Sequence, residues 1–320
     1  MAKSYLRYLT RRVVLSVGEV VLSVTLLFGL TTLMAYRKLQ GRVAFARYCL
    51  NHPCPTSDPP PPAEMRTQIV DLHNLNMPPF ERFLTHWVDL VTLEWGYSTA
   101  FQAPVARILQ GRISTTVEYV LPGIAVAGVL GVVLGLIAAL TKNSNWDWSI
   151  RLLGYTVIAI PSFVVATSLY MSSLMDSAGF ARGLTKPQVA SLALAVSLLG
   201  NQIRHSRAAV LRERGKAFVR FLHATGAAPV HIGRHILRNA TATLAAATLG
   251  ELLTIVMLNI YVLEYVLNIE GIALASLQAV EAGDVSLAIS STLVLVLGGI
   301  AGNLIQDLVL GYLDPRSHSS

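Results

Sequence analysis

The chain is dominated by apolar runs long enough to cross a bilayer. Val13–Met34 matches the ~20 residues that span ~30 Å of hydrocarbon. Similar runs follow at Thr115–Leu140, Ile150–Met175, Pro187–Ile203, Ala242–Leu267 and Val285–Tyr312. With no water to satisfy its backbone, such a run crosses as a helix. The expected fold class is therefore all-α, a polytopic membrane protein with about six transmembrane helices. Composition agrees: 53% of residues are hydrophobic and 13% charged, where soluble domains carry about 25% charged residues. A net charge of +7 invites a nucleic-acid reading. The basic residues flank the apolar runs, however, as membrane orientation requires, so no nucleic-acid partner is expected. The first run is too long for a signal peptide and lacks a small-residue cleavage site, so it reads as an uncleaved span.

Three regions follow in order. Residues 1–35 form a basic N-terminus and the first span, residues 36–112 a long polar segment, and residues 113–315 a core of five spans. The polar segment holds Pro59–Pro62, an extended polyproline stretch, then short amphipathic helices carrying Trp87 and Trp95. In the second span, Gly131 and Gly135, with Gly123 and Gly128 nearby, offer a small-residue face for close helix contact. Pro161 should bend the third span. Asn268–Asp284 reads as a loop.

An even number of spans puts both termini on one side. With the N-terminus inside, the inner segments hold 15 of the 25 Lys/Arg. The two short outer loops contain only Arg182 and Lys186, and a long loop crosses regardless of charge. Both termini are thus expected in the cytoplasm and the long first loop outside.

Catalytic signatures are missing: no His-Glu-x-x-His, no Gly-x-Ser-x-Gly, no zinc-spaced cysteines. Gly215-Lys216 is no phosphate loop, because Val210 and Ala217 stand where that motif needs Gly and Ser or Thr. No cofactor, resident metal or catalytic residue is expected. Cys49 and Cys54 leave three readings open: a small outer disulfide ring, two incidental thiols, or metal ligation with His52. Of the polar groups in or near the spans, which also include Asn303, Glu118 and Asp307 read as interfacial ends or interhelical hydrogen bonds. Pro161, Glu251 and Asn259 are the pore-lining candidates.

Arg204–Ala240 is the most basic stretch, with eight Lys/Arg and one acid, Glu213. Within it Lys216–Thr225 reads as a short amphipathic helix. Ala217, Phe218, Phe221 and Leu222 make its apolar face, Lys216, Arg220 and His223 lie opposite, and Gly226 stops it. A second helical piece, Pro229–Asn239, should feed the fifth span. Such a segment can lie on anionic lipid, stay solvated, or dock into a groove on a soluble partner.

This stretch resembles the cytoplasmic coupling loop (the "EAA" loop) of ABC-importer permeases. More narrowly it is similar to the first permease of the dipeptide/oligopeptide/nickel branch. The matching residues are Arg204 and Arg207, Phe218-Val219-Arg220, Ala224, Gly226 and Arg234–Ala240. Trp95–Ser98 with Pro104-Val105, Ile160–Phe163, Glu264 with Gly271, Asn303 with Asp307, and Leu313–Arg316 also resemble family motifs, in order and spacing. Glu270 replaces the proline of the family's Pro-Gly turn, and His223 and Thr225 replace basic residues.

The resemblance implies a type I ABC-importer permease fold with a long extracytoplasmic first loop, in a bacterial or archaeal cytoplasmic membrane. It implies half of a translocation pore, for peptides or for nickel, an opine or an oligosaccharide. The implied partners are a second homologous permease, two ABC ATPase subunits, an extracytoplasmic solute-binding protein and membrane lipid. The chain itself would be non-catalytic. Lys216, Ala217, Phe218, Arg220, Phe221, Leu222, Ala224 and Gly226, within the coupling loop 204–240, would meet the ATPase. The alternatives are an ion-gradient-driven secondary transporter, which needs embedded acids in two related halves, and a lipid-binding scaffold.

Overall fold

A computed structural model describes residues 2–51, 70, 76–174 and 183–313. It contains ten helices among those residues. They are α1 (Ala2–Asn51), α2 (Pro79–Thr92), α3 (Val105–Leu140), α4 (Asn145–Ala159), α5 (Ser162–Leu174), α6 (Lys186–Arg214), α7 (Ala217–Ala224), α8 (Pro229–Leu267), α9 (Ile272–Glu281) and α10 (Val285–Leu313). One two-stranded antiparallel hairpin, β1 (Tyr97–Ser98) and β2 (Ala103–Pro104), precedes α3.

Local chemistry sets the ends. Ser144 caps α4, its hydroxyl accepting from the Asp147 N–H at 3.3 Å, which satisfies one of the orphan donors of the first turn. Thr185 and Gln188 form a capping box at the start of α6. α2 and α8 both carry Pro in their first turn, where no N–H is needed. α8 stops at Asn268 in the left-handed conformation, φ 48°.

Among the described residues, three helical stretches are long and apolar enough to span on their own: Thr10–Met34, Val105–Leu140 and Val285–Val309. Two sharply bent pairs raise the number to five, α4 with α5 at 88° and the end of α8 with α9 at 70°. The remaining expected span is α6. It fails on composition, because Gln188, Asn201, Gln202 and a basic C-terminal third dilute its apolar residues. It is nonetheless deeply enclosed: Val189, Ala190, Ala193, Leu194 and Leu198 are fully buried. A helix shielded by its neighbours can carry polar groups that a lipid-facing one cannot.

Four expectations are corrected. α1 continues as helix to Asn51, where the sequence reads as a polar segment from Tyr36. α3 starts at Val105, ten residues earlier than the apolar run. Pro161 breaks the third span into two helices instead of bending one. The Asn268–Asp284 loop contains α9.

The chain forms two compact units. The first comprises the described residues up to Gly18, Gly111–Leu274, and those from Leu295 onward. Its main core gathers Tyr119 and Ala127 of α3, Ala166 of α5, the α6 residues above, and Val256, Ile260 and Leu263 of α8. Glycines set the closest approaches. A Cβ on Gly135 would lie 2.5 Å from Ser206 Cβ and 2.9 Å from the Arg207 nitrogen, and one on Gly131 would overlap Gln202. A Cβ on Gly200 would lie 2.5 Å from the Gly154 carbonyl. The small-residue face expected on α3 is thus its contact with α6 at Gly123, Gly131 and Gly135, whereas Gly128 faces open space. In the same unit, Arg12 near the start of the first span pairs with Asp307 near the end of the last at 3.1 Å.

The second unit comprises Glu19–Gln110 and Ala275–Val294. Here α2 packs on α1 through Phe28 and Phe83, ring centroids 5.3 Å apart, and Arg82 lies over the Phe28 ring at 5.4 Å. Buried Asp284 ties the hairpin to the start of α10. Its carboxylate accepts from Ser98 Oγ at 2.6 Å, the Ala100 N–H at 3.0 Å and the Leu287 N–H at 3.1 Å. Burial pushes this carboxyl up, but the donors from Ser98, Ala100, Leu287 and Thr99 outweigh it and hold the group below the ordinary aspartate value. A depressed folded pKa stabilises above the unfolded value, near 4, and that stabilisation is lost as pH falls through the folded one. Asp284→Asn should therefore lower thermal stability at pH 7, by about 1–3 kcal/mol for orphaned donors. The gap to wild type should close as the buffer is acidified below about pH 4. Thermal unfolding of both proteins across pH checks this.

Candidate coupling surface

The segment expected to couple continues from the C-terminal end of α6. α6 ends at Arg214. Gly215 makes the turn, and Lys216 is the N-cap of α7, its ammonium on the Glu213 carboxylate at 2.5 Å. α7 has only two turns. Val219, 2% exposed, inserts among Ala209, Val210, Ile232 and Ile236, with Phe218 and Leu222 packed beside it. α7 is thus fastened by its inner face to α6 and α8. Its outer face presents Arg220, Phe221, His223 and Ala224, with Phe221 68% exposed. Thr225 Oγ1 closes onto the Phe221 and Leu222 carbonyls. Gly226 follows at φ 73°, a left-handed conformation that costs other residues about 1 kcal/mol or more.

The apolar face differs from the sequence expectation. Ala217 and Phe221 point outward, and Val219, absent from the expected face, is the anchor. Apolar residues occupy five of the first six positions of α7, so periodicity alone cannot choose its buried side. Ile232 and Ile236 choose it.

The basic run also makes contacts within the chain. Arg207 donates through Nε and Nη2 to both oxygens of Asp147 at 2.8 and 2.9 Å. Asp147 is fully buried in the first turn of α4, where a carboxylate also faces the helix dipole favourably. It takes the Asn143 N–H at 3.0 Å and lies 3.6 Å from Arg151. One helix end away, Arg214 donates to the Ala139 and Leu140 carbonyls at 2.8 and 3.2 Å. Those carbonyls end α3 and have no intrahelical donor. Asp147 and Arg214 went unselected at the sequence level, because their partners lie 60 and 74–75 residues away.

A second polar centre lies at the α8–α9 turn. Glu264 is fully buried. Its carboxylate accepts from Thr116 Oγ1 at 2.6 Å, Tyr119 OH at 3.0 Å and the Leu274 N–H at 2.9 Å. The Thr116 hydroxyl in turn accepts the Ile272 N–H at 3.0 Å. α9 is therefore capped by a carboxylate from the helix before it. Gly271 is tied to this arrangement, since any Cβ there would overlap the Glu264 carboxylate.

The pore candidates fare unevenly. Pro161 is exposed between α4 and α5, and Asn259 is half-buried on α8. The Glu251 side chain lies outside the described residues. Cys49 sits in the last turns of α1, and Cys54 lies outside the described residues.

These elements, with apolar spans and two sharply bent helix pairs, make an all-α polytopic membrane protein. The match to the family of binding-protein-dependent transport system inner membrane components covers residues 131–319, more than half the chain, and the chain belongs to that family, the permeases of ABC importers. Among its relatives, a putative peptide permease of Brucella suis is 28% identical over 234 residues, covering 68% of this chain and 72% of the relative. The dipeptide transport system permease DppB of Bacillus subtilis is 26% identical over 76% and 81% of the two chains. The metal-staphylopine import system permease CntB of Staphylococcus aureus is 22% identical over 79% and 82%. In fold, the chain matches 98% of a chain of the inward-facing methionine ABC transporter MetNI. The TM-score is 0.52 and the identity 20%, over 64% of this chain.

Proposed function

We propose that this chain forms one half of the translocation pore of an ATP-driven importer and receives its stroke through α7. The observation that carries this is the two-sidedness of α7: Val219 anchors one face in the chain's own core, while Phe221 projects from the other. An exposed aromatic on a rigidly mounted helix suits insertion into a protein groove. A nucleotide-binding subunit is the occupant, and Arg220, His223 and Thr225 flank the aromatic as its specificity rim. A second homologous permease completes the pore, and an extracytoplasmic binding protein delivers the solute. The names of the relatives support a peptide as the cargo, with a metal complex such as metal-staphylopine second.

Phe221→Asp should leave the protein folded, because the side chain is exposed. It should reduce co-purification of the nucleotide-binding subunits in mild detergent about 30-fold, the equivalent of a ~2 kcal/mol hot spot. Unchanged co-purification would remove α7 from the interface.

A further inference from the structure

Two of the eight basic residues in the coupling stretch are spent on the turn between α3 and α4. Arg207 grips the first turn of α4 through Asp147, and Arg214 grips the last carbonyls of α3. The turn Thr141–Ser144 is thus held from both ends by the same helix, α6, which runs directly into α7. The contacts are of the less yielding kinds. The Arg207 pair is bidentate, which fixes angle as well as distance, and the carboxylate is fully buried. The Arg214 contact completes a helix terminus that otherwise ends in orphan acceptors. Immediately beside Arg207, at Ile203 and Ser206, α6 touches α3 at Gly135 with no room for a methyl group.

We propose that Arg207 and Arg214, with Asp147, are positioning residues that bind the α3–α4 turn to the coupling stem, so that α7, the end of α6 and this turn move as one body during transport. The proposal rests on α7 as the coupling helix. It adds the route by which displacement of α7 reaches α4, whose far end is the break at Pro161 beside α5. A stroke applied at α7 enters α4 at Asp147 and is delivered at a joint already bent by 88°.

The test is a distance measurement between spin labels at exposed Lys142, in the turn, and exposed Ala228, directly after α7 and outside the proposed ATPase rim. It uses the full chain purified with its ATPase subunits, in a background where Cys49 and Cys54 are replaced by Ser. In the otherwise unchanged protein the distance should be narrow and should shift by less than about 2 Å between the nucleotide-free and ATP-trapped states, the scale of small helix adjustments. Asp147→Asn and Arg214→Gln should each broaden the distribution and make it depend on nucleotide. Arg207→Lys keeps the charge but loses the fork and should fall between. A shift of about one helical turn, ~5 Å, in the unchanged protein would overturn the proposal. So would clamp variants that fold and leave the distribution narrow. Failure of the parent reading looks different: no ATPase co-purifies, while the variants still broaden the Lys142–Ala228 distance in the chain alone.

Discussion

Glu264→Ala should prevent accumulation of folded protein in the membrane. The substitution removes the acceptor of two hydroxyls and a backbone N–H that are all buried. Each orphaned group costs about 1–3 kcal/mol, so three together rival the 5–15 kcal/mol of a typical domain. The loss is also topological. Glu264 lies in the last turn of α8, before the 70° bend into α9, and its carboxylate caps α9 while holding α3 through Thr116 and Tyr119. Glu264→Gln keeps one acceptor and should be milder, with folded protein present at a lower melting temperature. Gly271→Ala should resemble Glu264→Ala, because its methyl group has only the carboxylate's space to enter. Membrane expression and size-exclusion profiles in detergent check all three. A monodisperse Glu264→Ala protein of unchanged melting temperature would show that the carboxylate does not hold this turn.

The second large effect is expected at the α3–α6 seam. Gly135→Leu must displace α6 from α3, since even a Cβ would lie 2.9 Å from a backbone nitrogen. Backbone cannot swing aside as a side chain can, so α6 is pushed off α3, which breaks the Arg214 contact and shifts the Arg207 backbone away from its place opposite Asp147 of α4. Overpacking of a tight core costs about 1–3 kcal/mol, and removing one partner from a buried ion pair about 3–5 kcal/mol. The variant should therefore fail to assemble. Gly128→Leu, on the same helix but with nothing within 4 Å of its Cβ, should be nearly neutral. Equal expression of both leucine variants would mean that the two helices do not pack at Gly135.

Much of this architecture was legible in the sequence. The limits of α7 followed from Gly215 and Gly226 and came within a residue of the observed Ala217–Ala224. The small-residue face of α3 was marked by Gly131 and Gly135. What escaped the sequence depends on partners distant along the chain. Asp147 reads as a polar residue in a short loop until Arg207 is placed on it. α9 reads as a loop because it is too short to span and its capping carboxylate stands on the preceding helix. Pro161 signals a disturbance of the helix, but whether it bends or breaks is decided by the packing of α4 and α5 on α6. The buried side of α7 was misread by one position because nearly every residue in its first turns is apolar.

The central claim is that α7 is the contact through which a nucleotide-binding subunit drives this permease. Its most direct test is site-specific photocross-linking from position 221 in intact membranes, with the product identified by mass spectrometry. The account predicts one major adduct, this chain joined to a nucleotide-binding subunit, through a peptide lining a groove on its surface. An adduct to lipid alone, or a chain that transports as a homodimer with no ATPase attached, would contradict it.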